Sequence, residues 1–363
     1  MQLSDFRDPE LTKELLETLR KLCGDRTMNL MEVCGTHTVS IGRYGLRKAV
    51  PEGVKLLSGP GCPVCVTSNH DIDTAIAMAR VPNVTVATFG DMVRVPGSST
   101  TLGAQRAHGA DIRVVYSPLD ALEIARKEPQ HNVVFIGVGF ETTMPVVGAS
   151  IQMAAEEGLQ NYFVLSAHKR TAPALEVIAN DPQTRIDGFI LPGHVSTITG
   201  VEPYRFLAET YGIGGVVTGF EPVDILNGIT RLAAMVVQQK PAIENAYSRG
   251  VNNNGNLTAL ATIKDVFEPC DAQWRGLGVI PLSGMRIAEK YRAFDALEAF
   301  EPDVEPVRET KGCRCGDVLR GRIAPDACPL FGRACNPENP VGPCMVSSEG
   351  SCAAYYRYRD TPL

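Results

Sequence analysis

Short apolar runs alternate with helical segments over most of the chain. Eight runs rich in β-branched residues are predicted to be strands, at 28–33, 54–57, 84–89, 112–116, 133–138, 162–166, 188–191 and 215–218. Apolar residues at helical spacing predict helices, among them 10–22, 72–79, 119–127, 145–157 and 223–239. Continuous apolar strands separated by helices indicate parallel sheets covered on both faces. The predicted fold class is therefore α/β.

Eight strands are predicted to form two sheets, with a break near Tyr116-Ser117-Pro118. Past about residue 240 the periodicity fades, apart from a helix-like stretch at 287–300. The Glu/Pro segment 301–306 is then typical of a linker. At 363 residues, the chain is long enough for two or three domains.

Composition narrows the function classes. The chain is 44% hydrophobic and 21% charged, with a formal net charge of -6, so neither nucleic acid nor a membrane is expected as a partner. No apolar signal-peptide core and no membrane-length apolar run occur, which predicts a cytoplasmic location. Thiols are normally reduced there, so the 11 cysteines indicate metal or redox chemistry.

The polar residues with chemical potential follow the predicted strands directly. They stand in the segments CGTHT (34–38), GPGCPVC (59–65), GFETT (139–143), SAH (166–168), PGH (192–194) and GFE (219–221). Ligands of open parallel sheets bind outside the carboxyl ends of the strands. We therefore expect these segments to face the site.

Six cysteines lie between 313 and 352 in a stretch rich in glycine and proline. Cys313, Cys328, Cys335 and Cys352 could supply the four thiolates of an iron–sulfur cluster. Structural zinc is an alternative, although zinc sites favour short paired spacings and no CxxC occurs at this end. Free or paired thiols are the third possibility.

Cys62 and Cys65 form a CxxC turn just before a predicted helix that Ser68 or Asn69 can cap. A helix N-terminus lowers a thiol pKa, so a redox dithiol is favoured over half of a zinc site.

Cys34 and His37 could bind iron or act as a nucleophile pair. The alternative is a buried cysteine beside a hydrogen-bonded histidine. Glu141 and Glu221 could be acid/base groups or helix N-terminal carboxylates. His168 and His194 more often hold loops, and their roles stay open.

Four motifs in order, CGTHT, GPGCPVC, GFETT and the C-terminal run CRCG…C…C…PVGPCMVSSEGSC, resemble the HypD family. These are scaffold proteins that build the Fe(CN)2CO group of [NiFe]-hydrogenases. The resemblance spans about residues 5 to 358.

The resemblance implies two thioredoxin- or Rossmann-like domains around a cleft, at 24–117 and 118–245. A third domain, formed by 1–23 and 246–363, would carry a [4Fe-4S] cluster. Cysteines at the family's positions would bind this cluster, namely Cys313, Cys328, Cys335 and Cys352. The resemblance further implies a redox pair beside the cluster, Cys315/Cys344, and a second pair, Cys62/Cys65.

By the same resemblance, Cys34 would hold the iron, with His37 nearby. As a working hypothesis, His37, His168 and Glu141 hydrogen-bond the iron's ligands or the thiolates. The implied partners are a small HypC-type chaperone and a HypE-type cyanide donor, and the free protein would be a monomer. Electrons would pass from the cluster through both pairs to iron at Cys34. A protein disulfide reductase that uses the cluster is the rival function. The sequence does not decide between an enzyme and a scaffold.

Overall fold

A computed structural model describes residues 3–360. Eleven strands lie within this range: β1 Met28–Glu32, β2 Val54–Ser58, β3 Val84–Thr88, β4 Ile112–Val114, β5 Asn132–Gly137, β6 Tyr162–Ser166, β7 Gly188–Leu191, β8 Gly214–Val217, β9 Ile243–Asn245, β10 Phe267–Trp274 and β11 Gly278–Ile287. The first eight match the eight predicted strands, so that prediction is confirmed.

The described range also contains α-helices of 4 to 17 residues. They are α1 Pro9–Cys23, α2 Gly35–Arg43, α3 Leu46–Ala49, α4 Pro63–Val66, α5 Asn69–Met78, α6 Gly90–Arg94, α7 Leu102–Ala107, α8 Pro118–Lys127, α9 Met144–Glu156, α10 Thr171–Ala179, α11 Gly193–Thr199, α12 Arg205–Glu209, α13 Pro222–Gln238, α14 Leu257–Val266, α15 Ala296–Ala299, α16 Cys315–Leu319, α17 Pro343–Val346 and α18 Ser351–Tyr358. The 3-10 helices are Leu3–Arg7, Glu202–Tyr204, Glu289–Phe294 and Pro325–Ala327.

The strands form two parallel sheets and one antiparallel hairpin. The five-stranded sheet has the order β2-β1-β7-β8-β9, and the four-stranded sheet has the order β4-β3-β5-β6. Every pair in both sheets is parallel, whereas β10 and β11 are antiparallel. The α/β fold class with two parallel sheets is thus confirmed.

The predicted break near Tyr116-Ser117-Pro118 is wrong. Strands on both sides of it, β4 and β5, belong to the same sheet, and β3 joins them. The chain instead changes sheets between β2 and β3 and returns between β6 and β7. Each sheet therefore takes strands from both predicted segments, 24–117 and 118–245.

The two faces of the five-stranded sheet pack against different partners. On one face, α1 and α13 form a core in which Leu19 and Cys23 join Leu226 and Ile229. A second core brings the buried β7 residue Phe189 together with Cys65, Cys344 and Trp274, among others. Several thiols are thus part of the apolar interior beside this sheet.

The β10–β11 hairpin, which the sequence did not predict, connects this core to the CxxC segment at 62–65. Trp274 at the end of β10 forms an antiparallel bridge with Thr67. The next residue, Arg275, donates its backbone N–H to the Val66 carbonyl at 2.9 Å. The end of the hairpin is therefore held against α4.

Helix starts follow the predicted capping chemistry. Ser68 caps α5, and its hydroxyl and the Asp71 carboxylate form a reciprocal capping box. The predicted cap at Ser68 is thus confirmed. The helix-like stretch 287–300 contains the end of β11, a 3-10 helix and α15 rather than one helix. No helix within residues 3–360 combines the length and apolar character that crossing a bilayer requires.

Candidate metal and thiol site

Cys34 lies between the end of β1 and the start of α2, in extended conformation at the helix N-cap. Gly61, in the loop after β2, packs directly on its backbone, because a Cβ added at Gly61 would lie 2.2 Å from the Cys34 nitrogen. The Gly61 carbonyl also accepts the Gly35 N–H at 3.0 Å. The two strand-end segments, CGTHT and GPGCPVC, are therefore in direct contact, as their positions predicted.

Two carboxylates, Glu32 and Glu349, lie near Cys34 and help to raise its pKa. Glu32 is fully buried and accepts the Cys34 N–H at 3.2 Å and the Thr38 hydroxyl at 2.5 Å; its burial raises its pKa to about 7. Glu349 accepts the Thr36 hydroxyl at 2.7 Å. Burial is the main reason that the pKa of Cys34 rises to about 12, and the charge of Glu349 adds to it.

His37 is fixed at the end of β8 rather than free to move. Its Nε2 lies 2.9 Å from the Gly219 carbonyl and 2.8 Å from the Thr218 hydroxyl. A carbonyl only accepts hydrogen bonds, so Nε2 carries the hydrogen and Nδ1 presents a lone pair. Nδ1 is buried and has no hydrogen-bond partner. Burial lowers the pKa of His37 to about 4, so the ring is neutral near pH 7.

An aromatic side chain joins the two histidines near Cys34. The Phe220 ring lies 4.7 Å from His37 and 4.0 Å from His194, centroid to centroid. His194 is exposed at the start of α11, and burial of part of its ring lowers its pKa while Glu349 opposes that shift. His194, Glu349, His37 and Cys34 thus form one group.

Glu141 lies at the N-terminus of α10. Its two carboxylate oxygens accept the Thr171 N–H and hydroxyl, both at 2.8 Å. Burial raises its pKa. The pKa of the buried Tyr204 is raised chiefly by burial, and the charges of Glu141 and Cys34 add to the rise. Glu141 therefore borders the Cys34 group, and its contacts are those of a helix N-terminal carboxylate.

The Tyr204 hydroxyl is buried without a hydrogen-bond partner. The hydroxyls of Ser196 and Thr199 are near enough to oppose the rise in its pKa. However, neither the Tyr204 nor the Ser196 oxygen makes a hydrogen bond of ordinary length and angle.

Cys62 and Cys65 are buried at 4% and 0% exposure. The Cys62 sulfur caps α4 and accepts the Cys65 N–H at 3.3 Å. The predicted lowering of the thiol pKa is wrong for Cys65: burial raises its pKa, and its contacts with the Cys344 and Cys62 thiols add to the rise. Burial thus outweighs the helix N-terminus at this position.

The contact between Cys65 and Cys344 joins the N-terminal CxxC to the C-terminal cysteines. Helices α4 and α17, which carry these two residues, pack against each other. The charge of Cys344 adds to a rise in the pKa of Cys315, and the Cys315 thiol donates a hydrogen bond to the Cys313 sulfur. We call these residues the thiol series, which consists of Cys62, Cys65, Cys344, Cys315 and Cys313.

All six C-terminal cysteines line one small apolar cavity, here called the cysteine cavity. Its walls are Cys313, Cys315, Cys328, Cys335, Cys344, Cys352, Val318, Leu330, Phe331, Gly342 and Met345. Burial raises the pKa of Cys352, and the charges of Cys344, Cys335, Cys313 and Cys328 add to the rise. The structure thus brings all four predicted cluster ligands together.

As they stand, no three His, Cys, Asp or Glu side chains within residues 3–360 converge closely enough to hold a single metal ion. The cysteine cavity nevertheless fits an iron–sulfur cluster in its donor chemistry, because its polar wall atoms are thiols and its other walls are apolar. The Val341 N–H also points to the Cys335 sulfur at 3.4 Å. Backbone donors of this kind stabilise thiolate ligands.

His168 and Glu221 lie elsewhere. His168 is buried, with Nδ1 3.0 Å from the Ser166 hydroxyl and the ring 5.4 Å from that of Phe267. Glu221 accepts two hydrogen bonds from Arg7, at 2.5 and 2.8 Å, and the guanidinium lowers its pKa. Glu221 thus ties the N-terminal segment to the start of α13.

Sequence reasoning missed three residues in or beside the Cys34 group: Glu32, Tyr204 and Glu349. Glu32 lies inside the predicted strand 28–33, and a carboxylate in such an apolar run was the available signal. Glu349 lies between two cysteines and shows no local signal. Its contact with Thr36 spans 313 residues.

The chain matches a family model over residues 10–359, described as HypD, hydrogenase formation hypA family. Similar relatives include the hydrogenase maturation factor HypD of Rhodobacter capsulatus, 48% identical over 98% of this chain and 97% of the relative. The HypD of Escherichia coli is 43% identical, with 98% of each chain covered. The HypD of Cupriavidus necator is also 43% identical, over 99% of this chain and 98% of the relative. The chain therefore belongs to the HypD family of hydrogenase maturation factors.

Proposed function

We propose that this protein is a scaffold and redox protein for assembly of the Fe(CN)2CO group of [NiFe]-hydrogenases. The iron unit is its cargo and is held at Cys34. The observation that carries the proposal is the thiol series, which leads from the cysteine cavity to the CPVC turn. There Gly61, the residue before Cys62, packs on the backbone of Cys34.

The proposed cluster ligands are Cys313, Cys328, Cys335 and Cys352, all in the wall of the cysteine cavity. A [4Fe-4S] cluster bound there would supply electrons one at a time. Cys315 and Cys344 share the same cavity without being needed as ligands. We propose that they form the first redox pair.

Electron transfer to the second pair takes the form of thiol–disulfide exchange. The Cys344 thiolate attacks Cys65 of a Cys62–Cys65 disulfide, and the Cys62 thiolate leaves. The Cys315 thiolate then attacks Cys344, which forms the Cys315–Cys344 disulfide and frees the Cys65 thiolate. One disulfide is reduced, one dithiol is oxidised, and two protons end on Cys62 and Cys65.

Cys34 is suited to binding a soft iron cargo. Thiolate is a soft ligand for iron that carries cyanide and carbon monoxide. Because burial raises the pKa of Cys34 to about 12, the free residue is a neutral thiol, and iron binding must release its proton. The neighbouring Glu349 is placed to accept that proton. The His37 Nδ1 lone pair is a further acceptor or ligand at the same group.

Two partners complete the proposal. A HypC-type chaperone supplies a second thiolate to the iron, and a HypE-type protein donates cyanide. We propose a cleft between the two sheets as the place where they meet Cys34. The rival function, reduction of a protein disulfide by Cys62/Cys65, is disfavoured because both thiols are at most 4% exposed.

The test is an anaerobic iron, sulfide and infrared analysis of the full chain with its small partner. We expect cyanide and carbonyl stretches in the complex, together with about four irons and four sulfides for the cluster. Cys34→Ala is expected to lose the stretches and to keep the cluster absorbance. The matched control is Cys270→Ala, because Cys270 lies outside the thiol series, half-buried on β10.

Two results would refute the proposal. One is a Cys34→Ala variant that keeps the cyanide and carbonyl stretches. The other is a wild-type protein that contains zinc but neither iron nor acid-labile sulfide.

A further inference from the structure

A second cavity of about 460 Å³ lies next to the cysteine cavity. We call it the arginine pocket, after Arg275, Arg314, Arg320 and Arg322 in its wall. Cys313, Cys315 and Gly342 line both cavities. A molecule bound in the arginine pocket would therefore lie beside the outer end of the thiol series.

The pocket exists because the turn after β10 packs tightly on α16. Gly276 has a φ of +74°, and a Cβ there would lie 2.2 Å from the Cα of Gly316. Only glycine fits this approach. Arg275 and Cys315, the residues before these two glycines, therefore line the same pocket.

The arginines differ in how their charges are matched. Arg314 pairs with Asp317, and Arg322 donates to Asp181 at 2.8 Å. Arg320 donates to the Gly276 carbonyl at 3.0 Å and lies 3.8 Å from Asp181.

Arg275 donates its Nε–H to the Thr67 carbonyl at 3.0 Å. Its Nη2 is buried and has no hydrogen-bond partner. The Arg275 guanidinium therefore has donor capacity left for an anion in the pocket.

Two more buried polar atoms of the pocket wall lack partners. They are the Asn69 Oδ1, an acceptor, and the Arg322 Nε, a donor. Asn69 is only 7% exposed, and its amide nitrogen is already used on the Arg308 carbonyl at 2.7 Å. Buried polar atoms without a protein partner are rare in folded proteins, so these atoms are free to pair with the polar groups of a ligand.

From these groups we infer that the arginine pocket binds a small acidic thiol of peptide type, which reduces the Cys315–Cys344 pair. A carboxylate suits Arg275, an amide N–H suits the Asn69 Oδ1, and the thiol reaches Cys315. A cavity of 460 Å³ is within the usual range for small ligands. The reduction step rests on the proposed function, whereas the binding step does not.

The chemistry is two successive thiol exchanges. The thiolate of the first ligand attacks Cys315, the Cys315–Cys344 bond breaks, and Cys344 leaves as a thiolate. The thiolate of a second ligand molecule then attacks the ligand sulfur of the mixed disulfide. Cys315 is released, both cysteines take up protons, and the two ligand molecules are oxidised to their disulfide.

Binding is measured first, by anaerobic calorimetry of the full chain with S-methylglutathione, which keeps the carboxylates and amides but cannot exchange. We expect Arg275→Gln to weaken binding at least tenfold, and Arg275→Lys to weaken it less. The matched control is Arg205→Gln, because Arg205 is an exposed arginine paired with Glu202, outside the pocket wall. Higher salt should weaken binding to the wild type, a test that needs no variant.

Reduction is measured second, on the oxidised full chain, with glutathione and with the uncharged 2-mercaptoethanol. Arg275→Gln should slow the reaction with glutathione at least tenfold more than it slows the reaction with 2-mercaptoethanol. Equal binding by wild type and Arg275→Gln, or no binding to the wild type at millimolar concentration, overturns the pocket. Salt-sensitive binding without reduction of Cys315–Cys344 supports the pocket and overturns the reduction step.

Discussion

The contact between Gly61 and Cys34 gives the sharpest test of how the two strand-end segments are joined. A Cβ at position 61 would lie 2.2 Å from the Cys34 nitrogen, 2.4 Å from the Val33 carbonyl carbon and 2.5 Å from the Cys34 Cα. All three are backbone atoms, so no side chain can rotate away. Since ordinary van der Waals contacts begin near 3.5 Å, Gly61→Ala must push the segments about 1 Å apart.

Two terms set the cost of that displacement. Overpacking in a close-packed interior costs about 1–3 kcal/mol. The hydrogen bond from the Gly35 N–H to the Gly61 carbonyl, now 3.0 Å, would be stretched or lost at about 1 kcal/mol. We therefore expect Gly61→Ala to lower the free energy of unfolding by about 2–4 kcal/mol.

Urea denaturation under anaerobic conditions measures this loss. Infrared spectroscopy of the complex with the small partner measures the cyanide and carbonyl stretches of the iron unit that we propose at Cys34. Gly90→Ala is the matched control, because its new Cβ meets only the Val114 Cγ1, at 3.6 Å. Gly61→Ala should lose stability and most of the cyanide and carbonyl signal, whereas Gly90→Ala should keep both. A Gly61→Ala protein with wild-type stability and wild-type iron signal would refute the contact and the site built on it.

Three further predictions concern single side chains. Cys344→Ser should stop reduction of a Cys62–Cys65 disulfide by the C-terminal cysteines, as followed by thiol alkylation and mass spectrometry, while the absorbance of the proposed cluster remains. Continued reduction would contradict the Cys65–Cys344 contact. Glu141→Ala should lower the free energy of unfolding, measured in urea, by about 1–2 kcal/mol, because the Thr171 N–H loses its hydrogen-bond acceptor. The variant should still bind the iron that we propose at Cys34. Loss of iron without loss of stability would instead make Glu141 catalytic. Burial lowers the pKa of His168 from 6.5 to about 3, so the unfolded chain binds the proton more readily than the folded chain. The free energy of unfolding should therefore be highest above pH 6.5 and fall by about 2 kcal/mol at pH 5. His168→Gln should flatten this part of the pH–stability curve, and an unchanged curve would refute the lowered pKa of His168.

The strands were predictable and their grouping into sheets was not. Each predicted strand is an apolar run, and buried parallel strands look alike in sequence because both faces are covered. Nothing local shows that β1 pairs with β7, whose partner residues Leu30 and Gly188 are far apart in the chain. The β10–β11 hairpin was missed because its first strand contains Pro269 and alternates with exposed residues.

The candidate site, like the fold, was predictable in its residues and not in their contacts. Sequence spacing singled out the cysteines, because thiol-rich segments are rare in this type of chain. It did not predict that Cys65 touches Cys344, since that contact depends on how α4 packs on α17. It also missed Glu349, whose partner Thr36 is brought close only by the fold.

Burial along the thiol series limits where redox partners can act. Cys62, Cys65 and Cys344 are 4%, 0% and 1% exposed, so molecules in solution have little access to the middle of the series. Cys313 and Cys315 are only partly buried and border the arginine pocket. At the other end, Cys34 lies near the exposed His194. In the proposed relay, electrons would therefore enter beside Cys313 and Cys315, where thiols are accessible, and would be delivered toward Cys34, because thiol exchange depends on access to the sulfur that is attacked.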